Sequence, residues 1–331
     1  MKTDIAKLNN LIKNSNHLLI LQPEKPDADS LASTLALEEM LADDLKNITM
    51  FCYDEVPEHL RYLSGWDRVT DEFPKEFDFS ILVDAGTPNM IERTLHKHGS
   101  KLSAKPFVVI DHHKIRQGLA FDTIDIIDGR AASVGELLVE LAKTLKLKIS
   151  LQAAKCIISS ILADTMNLTT PSTTVKTVQA FTDMVKLGVN LAELHRDYEK
   201  MGELNPELFS FKGRLIERIQ YFLDGKISLL VIQPDELTKF AKIHDPSDLV
   251  IQEMRLVSGV IVAVTLRNYK TKIKVSLRAN LAIAGKAAEQ FGGGGHPMAA
   301  GYRVEGGNID KVQEDIIKTL TKLIKDHAET D

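Results

Sequence analysis

Residues 107–113 read Phe-Val-Val-Ile-Asp-His-His. Four apolar residues of strand character run straight into three side chains that can each take a proton or a metal, with no glycine or proline between to mark a simple turn. A loop that only turned the chain would have little use for Asp111-His112-His113. Histidine binds metals through one ring nitrogen, and a carboxylate commonly fixes the other. Outward from this stretch the same arrangement recurs. The apolar run His17–Leu21 leads into Pro26-Asp27-Ala28-Asp29-Ser30, Phe79–Val83 leads into Asp84-Ala85-Gly86, and the apolar helical stretch Leu151–Leu162 leads into Asp164-Thr165. Further strands are expected at Ile48–Tyr53 and Thr123–Ile127, and helices at Ser30–Leu41, Ala131–Leu145 and Thr174–Leu187. Strand followed by helix, repeated, predicts an α/β domain built on a mainly parallel sheet covered on both faces. Chemistry in such sheets gathers beyond the C-terminal ends of the strands, where all four polar clusters fall.

Each cluster also has a plain structural account. Asp29 or Ser30 is a good N-cap for the helix it opens, and Asp84 is a competent turn former. Asp164 fits less well, because an acid at a helix C-terminus opposes the helix dipole. Taken together, Asp27, Asp29, Asp84, Asp111 and Asp164 with His112 on one edge are too many carboxylates to remain ionised side by side unless cations neutralise them. An oxygen-rich set with an imidazole suits Mn²⁺ or Mg²⁺ rather than a thiol-seeking metal. Two such ions about 3.5–4 Å apart would cradle a phosphoryl group and supply a hydroxide for in-line attack.

The chain has 331 residues, 44% hydrophobic and 26% charged, which is ordinary globular composition with material for two cores. Its apolar runs fall far short of the roughly 20 residues of a membrane helix, and Lys2, Asp4 and Lys7 do not open a leader peptide. With only Cys52 and Cys156 there is no disulfide framework or thiolate metal site, so a cytoplasmic location is expected. A net charge of −5 argues against non-specific duplex-DNA binding. Charge is uneven, however. Met254–Asn280 holds no acid but contains Arg255, Arg267, Lys270, Lys272, Lys274 and Arg278, a candidate anion-binding surface.

The strand–helix alternation stops near Gly188. We expect a first domain over 1–190, a helical connector over 191–224 with its last helix running to about Tyr221, and a β-rich domain over 225–331. In that domain Lys226–Ile232, Gly259–Leu266 and Lys272–Leu277 read as strands, and Lys272, Lys274, Ser276 and Arg278 share one face. Gly292–Gly295 would leave backbone amides open to an anion, and the small residues of His296-Pro297-Met298-Ala299-Ala300-Gly301 suit close helix packing.

Asp27-x-Asp29, Asp84, Asp111-His112-His113 and Asp164 resemble the four motifs of the DHH phosphoesterases, and Lys274–Arg278 with Gly292–Gly301 resembles the signature of the DHHA1 domain that follows them in one branch. The resemblance covers nearly the whole chain. It implies a DHH metal-binding domain and a smaller α/β DHHA1 domain across a cleft, in the branch of nano-RNases and phosphatases of 3′-phosphoadenosine 5′-phosphate. It further implies two Mn²⁺ ions, with Mg²⁺ as the alternative, and short RNA or DNA oligonucleotides or dinucleotides as partners; no membrane is implied, and a homodimer is allowed. Carried over by residue, Asp84 would bridge both ions, Asp27 would help hold the first, and Asp29, His112 and Asp164 the second. Asp111 would orient His112, and His113 would contact the scissile phosphate. Arg278 and the backbone of Gly294, Gly295 and His296 would hold the substrate's far end. One position departs from the pattern. The family histidine four residues before the first aspartate is replaced by Pro23, flanked by Gln22 and Glu24, and His17 lies ten residues upstream of Asp27. Two other readings compete: a manganese inorganic pyrophosphatase, and a nucleotide-binding module that has lost its chemistry.

Overall fold

Ile5, Leu8 and Ile12 recur at helical spacing, and in the computed structural model the opening stretch forms α1 (Lys2–Asn14), which buries all three. The sequence reading gave this stretch no fold role. The structure describes residues 2–114, 117–201, 203–241 and 244–328, and the chain divides into two units, 1–203 and 204–331.

In the first unit β1 (His17–Leu21), β2 (Asn47–Phe51), β3 (Val69–Thr70), β4 (Phe79–Val83), β5 (Phe107–Asp111) and β6 (Ile124–Ile127) form one parallel sheet in the order β3-β2-β1-β4-β5-β6. All five residues of β4 and of β5 are buried, as parallel strands covered on both faces require. Leu18, Ile20, Ile81, Val83, Val108 and Ile110 meet α1, α2 (Ala28–Leu41), α4 (Val134–Leu145), α5 (Leu151–Asp164) and α6 (Val175–Lys186) on one face. Leu19, Leu21, Leu82 and Val109 meet α3 (Glu92–Ser103) on the other through Leu102. The parallel α/β expectation holds. The chain runs from β1 out to β3, then crosses back to lay β4 beside β1. That reversal is a topological switch point at the C-terminal ends of β1 and β4, where open α/β sheets take their ligands.

Helix starts follow their caps. Asp27 caps α2 by accepting from the Ser30 amide at 2.9 Å, so the cap is Asp27 rather than Asp29 or Ser30 and the helix begins two residues earlier than expected. Ser133 caps α4 through the Glu136 amide, so that helix starts at Val134. Helix α2 is buried on most of its circumference, and it packs on α5 with Ala and Ser on both sides (Ala32, Ser33 and Ala36 against Ala153, Ala154 and Ser160).

After α7 (Leu191–Met201) the second unit opens with α8 (Pro206–Glu217) and β7 (Gln220–Phe222), so the helix expected to reach Tyr221 gives way to a strand that pairs with β8 (Ile227–Ile232). Then follow α9 (Pro234–Phe240), α10 (Ile251–Leu256), β9 (Val262–Asn268), β10 (Lys272–Ala279), α11 (Ala284–Glu289), β11 (Gly294–His296), β12 (Ala299–Glu305) and α12 (Ile309–Ala328). These strands form a mixed sheet in the order β11-β12-β10-β9-β8-β7, with only β8 and β9 parallel. Helices α11 and α12 cover one face; α8, α9 and α10 cover part of the other. Strand β10 alternates as read from sequence, with Lys272, Lys274, Ser276 and Arg278 half-buried and the residues between them buried.

The glycine run is not a bare loop. Gly294–His296 is an edge strand on β12, and Ala299–Gly301 lies in β12 itself instead of packing as helix. Gly292 and Gly295 take left-handed backbone, at φ 74° and 139°. At Gly293 a Cβ would sit 2.3 Å from the Gly301 carbonyl oxygen, whereas at Gly294 it would meet open space. We predict that Gly293→Ala destabilises the second unit by about 1–3 kcal/mol through forced displacement of β12. Gly294→Ala should stay within about 0.5 kcal/mol of the parent. Urea unfolding of both variants checks this, and equal effects would contradict it. Among the described residues no helix is long and apolar enough to cross a membrane.

Candidate metal centre

Asp29 sits in the first turn of α2, and its side chain is fully buried. Its Oδ1 accepts from Ser33 Oγ at 3.0 Å and Ser160 Oγ at 2.5 Å, and its Oδ2 accepts from the Val134 amide at 2.9 Å. Three donors from α2, α5 and the start of α4 fix the group. Oδ2 lies 3.5 Å from His112 Nε2. Ser160 is itself held by the Gly135 amide at 2.8 Å and lies 3.2 Å from Ser133 Oγ. A Cβ on Gly135 would lie 2.2 Å from that Ser160 hydroxyl, so the glycine is what lets α4 and α5 meet there.

Asp84 follows β4 in the left-handed conformation, φ 56°, a sparsely populated geometry that turns the chain sharply at the strand end. Its amide donates to the Ile110 carbonyl. His112 Nε2 is 3.0 Å from Asp164 Oδ2 and 3.5 Å from Asp84 Oδ1. The second distance is too long for a good hydrogen bond, and Asp84 Oδ1 is buried without one. Nδ1 of His112 faces the Ala131 carbonyl at 3.3 Å, which fixes the ring. Three carboxylates thus converge on one imidazole nitrogen. Burial raises the Asp29 and Asp84 carboxyls above their ordinary range, and the neighbouring carboxylates raise them further. Burial alone would lower His112, but Asp164, Asp84 and Asp29 outweigh it and push the imidazole up to about 11. The cluster demands positive charge.

Ligand atoms of Asp29, His112 and Asp164 lie within 4.8 Å of one another, as do those of Asp84, His112 and His113. The buried, unbonded Asp84 oxygen and the oxygen-rich donors around one imidazole fit a hard divalent cation. Asp27 is exposed and joins neither of these groups. One of its oxygens is occupied as helix cap, yet its charge still reaches Asp84. One expectation is corrected. Asp111 Oδ1 bonds His113, at 2.7 Å to Nδ1 and 3.2 Å to the amide, and so orients His113, whereas His112 is oriented by the Ala131 carbonyl. That bond raises His113 above its ordinary range.

The residues beside the substituted histidine position are also placed. His17 stands at the opposite end of β1, bonded to Thr49 at 2.9 Å. Glu24 takes Arg93 Nε at 2.8 Å and the Thr94 amide at 2.8 Å. Gln22 is buried.

Arg278, Gly294, Gly295 and His296 all lie in the second unit. Arg278 pairs in register with Ala299, and Ala299 with His296, so these three side chains stand in a row on one face. Ser276, Gly301 and Gly294 form the next row and Lys274 pairs with Arg303 beyond it. Arg278, His296 and Lys274 thus share a face floored by glycine and alanine, while Arg303 is paired with Glu305 at 2.8 Å. His296 Nδ1 accepts from the Met298 amide at 3.2 Å, which leaves the ring proton on Nε2. Arg267, read from sequence as part of the basic surface, is not: it pairs with Asp245 and donates to Ser276 at 2.6 Å.

Ser33, Ser133, Ser160 and Gly135 were missed by the sequence reading. The signal was there, since Ser33 lies four residues after Asp29 and Ser160 four before Asp164, each on its acid's helix face within an otherwise apolar stretch.

The DHH family N-terminal domain matches residues 17–168, and the DHHA1 domain matches residues 245–326. A Streptococcus mutans protein named probable bifunctional oligoribonuclease and PAP phosphatase NrnA is 26% identical, over 98% of this chain and 99% of its own. A Bacillus subtilis protein named bifunctional oligoribonuclease and PAP phosphatase NrnA is 24% identical, over 99% of this chain and 100% of its own. An exopolyphosphatase-related protein from Bacteroides fragilis shares the fold, with a TM-score of 0.85 across 97% of this chain and 96% of its own at 20% identity. Two domain matches in the family's order, on a fold and an acid–imidazole cluster that agree with both, establish that this chain belongs to the DHH/DHHA1 family of phosphoesterases.

Proposed function

We propose that the chain hydrolyses short oligonucleotides and dinucleotides to mononucleotides, and removes phosphate from 3′-phosphoadenosine 5′-phosphate, with two divalent cations, Mn²⁺ before Mg²⁺. The observation that carries this reading is the convergence of Asp29, Asp84 and Asp164 on His112 at the sheet's switch point. The relatives' names support the substrate class. Bound cations would neutralise these carboxylates, draw in the phosphate and make water acidic enough to attack near neutral pH.

The protein's own groups have separable tasks. Asp84, buried between His112 and His113, would face both ions; Asp27 and Asp29 would each favour one. Ser160 and Ser33 hold one oxygen of Asp29 so that the other stays turned to His112. His113, its Nδ1 committed to Asp111, presents Nε2 to a phosphate oxygen. The raised basicity that Asp111 gives this ring suits it to stabilise developing negative charge or to protonate a leaving oxygen. On the second unit, Arg278 and His296 Nε2 flank Ala299 and would hold a phosphate remote from the bond that breaks.

A hydrolysis screen with Mn²⁺ over two- to five-nucleotide RNAs, a linear diadenylate, 3′-phosphoadenosine 5′-phosphate and pyrophosphate tests the reading. Mononucleotides and adenosine monophosphate are expected; phosphate from pyrophosphate alone would overturn it. Asp84→Asn should cost about 3–4 kcal/mol of transition-state stabilisation, two to three orders of magnitude in kcat. A folded variant with more than about a tenth of parental turnover would remove Asp84 from that role. Ser160→Ala should lower stability by about 1–3 kcal/mol and reduce kcat and Mn²⁺ affinity with KM little changed, because it frees Asp29 rather than touching substrate. A urea melt with unchanged metal affinity would leave Ser160 only a packing role. Arg278→Ala should raise KM for dinucleotides by roughly 10–100-fold, the worth of a charge-assisted contact. Bis-p-nitrophenyl phosphate turnover should be spared, and an equal loss on both substrates would refute a remote grip.

A further inference from the structure

Gln22 is the residue after β1, 2% exposed, and neither its Oε1 nor its Nε2 has a hydrogen-bond partner among the described residues. Buried amides are almost always paired, so an orphan of this kind calls for a ligand or a water. Its position indicates which. Leu21 pairs with Leu82, so Gln22 comes level with Val83, the residue before Asp84. Leu18 and Ile20 lie in the core shared with Val83 and Ile110, whereas Leu19 and Leu21 lie on the other face. Strand alternation then turns Gln22 to the face where α2 and α5 carry Asp29 and Asp164. It stands five residues before Asp27, and at the end of the neighbouring strand an Asp84 oxygen is likewise buried and unbonded.

The other groups near the substituted position are committed elsewhere. Glu24 has both oxygens on Arg93 and Thr94. Pro23 offers only its carbonyl, which takes the Cys52 thiol at 3.4 Å. His17 is at the far end of its strand.

We propose that the Gln22 side-chain carbonyl is the ligand that completes the first cation site, with Asp27 and Asp84, in place of the histidine the motif otherwise carries. The assignment rests on the two-cation reading above. A neutral amide oxygen is a hard donor that never titrates, so this site discriminates less between Mg²⁺ and Mn²⁺ than an imidazole would make it, and its occupancy does not fall through protonation of that ligand. It also binds more weakly than its neighbour, which holds an imidazole and two carboxylates besides the shared one.

The test is Mn²⁺ binding to the full chain, read by calorimetry and by the electron paramagnetic resonance of free ion. The parent should take two ions of unequal affinity. Gln22→Leu, close in volume and apolar, should weaken the looser ion at least tenfold, leave the tighter one unchanged, and not lower the melting temperature of the metal-free protein. Gln22→His should tighten the looser ion and increase its preference for Mn²⁺ over Mg²⁺, and it keeps the question decidable if the leucine variant does not fold. Glu24→Gln should leave both affinities at the parental values. Parental affinity at both sites in Gln22→Leu, or no change in either affinity in Gln22→His, would overturn the assignment. A parent that binds a single ion would overturn the two-cation reading itself, and the assignment with it.

Discussion

A carboxylate sealed inside a protein is costly unless its oxygens are engaged, and the first unit is organised around one that is. Asp29 draws donors from three helices at once: Ser33 on its own helix, Ser160 on α5 and the first amide of α4. Those bonds require α2, α4 and α5 to pack closely, which explains the alanines and serines on their facing sides and the absence of a side chain at Gly135. With the helices so fixed, Asp164 at the end of α5 can only stand over His112, and the strand ends bring Asp84 and His113 to the same place. The acid–imidazole edge follows from how one buried acid is satisfied.

Much of this was legible in the sequence, because burial on both faces leaves a plain mark. Strands β1, β4 and β5 are largely apolar runs, and acids and histidines follow them at strand ends more often than turns and helix caps require. Asp84 could be placed but not oriented: its left-handed backbone comes from the strand's end geometry, and aspartate adopts it without a marker such as glycine. The roles of Asp111 and the Ala131 carbonyl were likewise out of reach, since which histidine a carboxylate holds depends on ångström-level placement. Helix α1 was missed because its three core residues are spread among lysines and asparagines. The glycine run misled in an instructive way. Its composition suggested open amides, but most of those glycines serve steric ends, left-handed turns at Gly292 and Gly295 and contact with β12 at Gly293.

The second unit solves a different problem with the same economy of side chains. A surface proposed to grip phosphate would need cations that its own acids do not quench. Arg267, which lies in the basic segment, is quenched by Asp245 and so takes a structural place in the sheet. Arg278 is placed otherwise: its Nη1 donates to the adjacent Leu277 carbonyl, its register partner is the small Ala299, and its charge reaches Asp248 without an ion pair of its own being formed there among the described residues. Small residues in β11 and β12 allow the edge strand to form.

The two candidate cation positions are unequal by construction, and the inequality has a chemical sense. Around His112 stand Asp29 and Asp164, an anionic set that would hold an ion through wide changes in free metal. Toward Asp27 the acid is exposed and half-committed as a helix cap, and the further ligand proposed for that position is an uncharged amide. A site with less negative charge binds its ion less tightly but leaves that ion more positive, and a more positive ion polarises water and phosphate more strongly. With the weaker ligand set on the side of the exposed acid and the stronger one against the core, one ion would act as a fixed part of the fold while the other would answer to substrate and to the supply of metal.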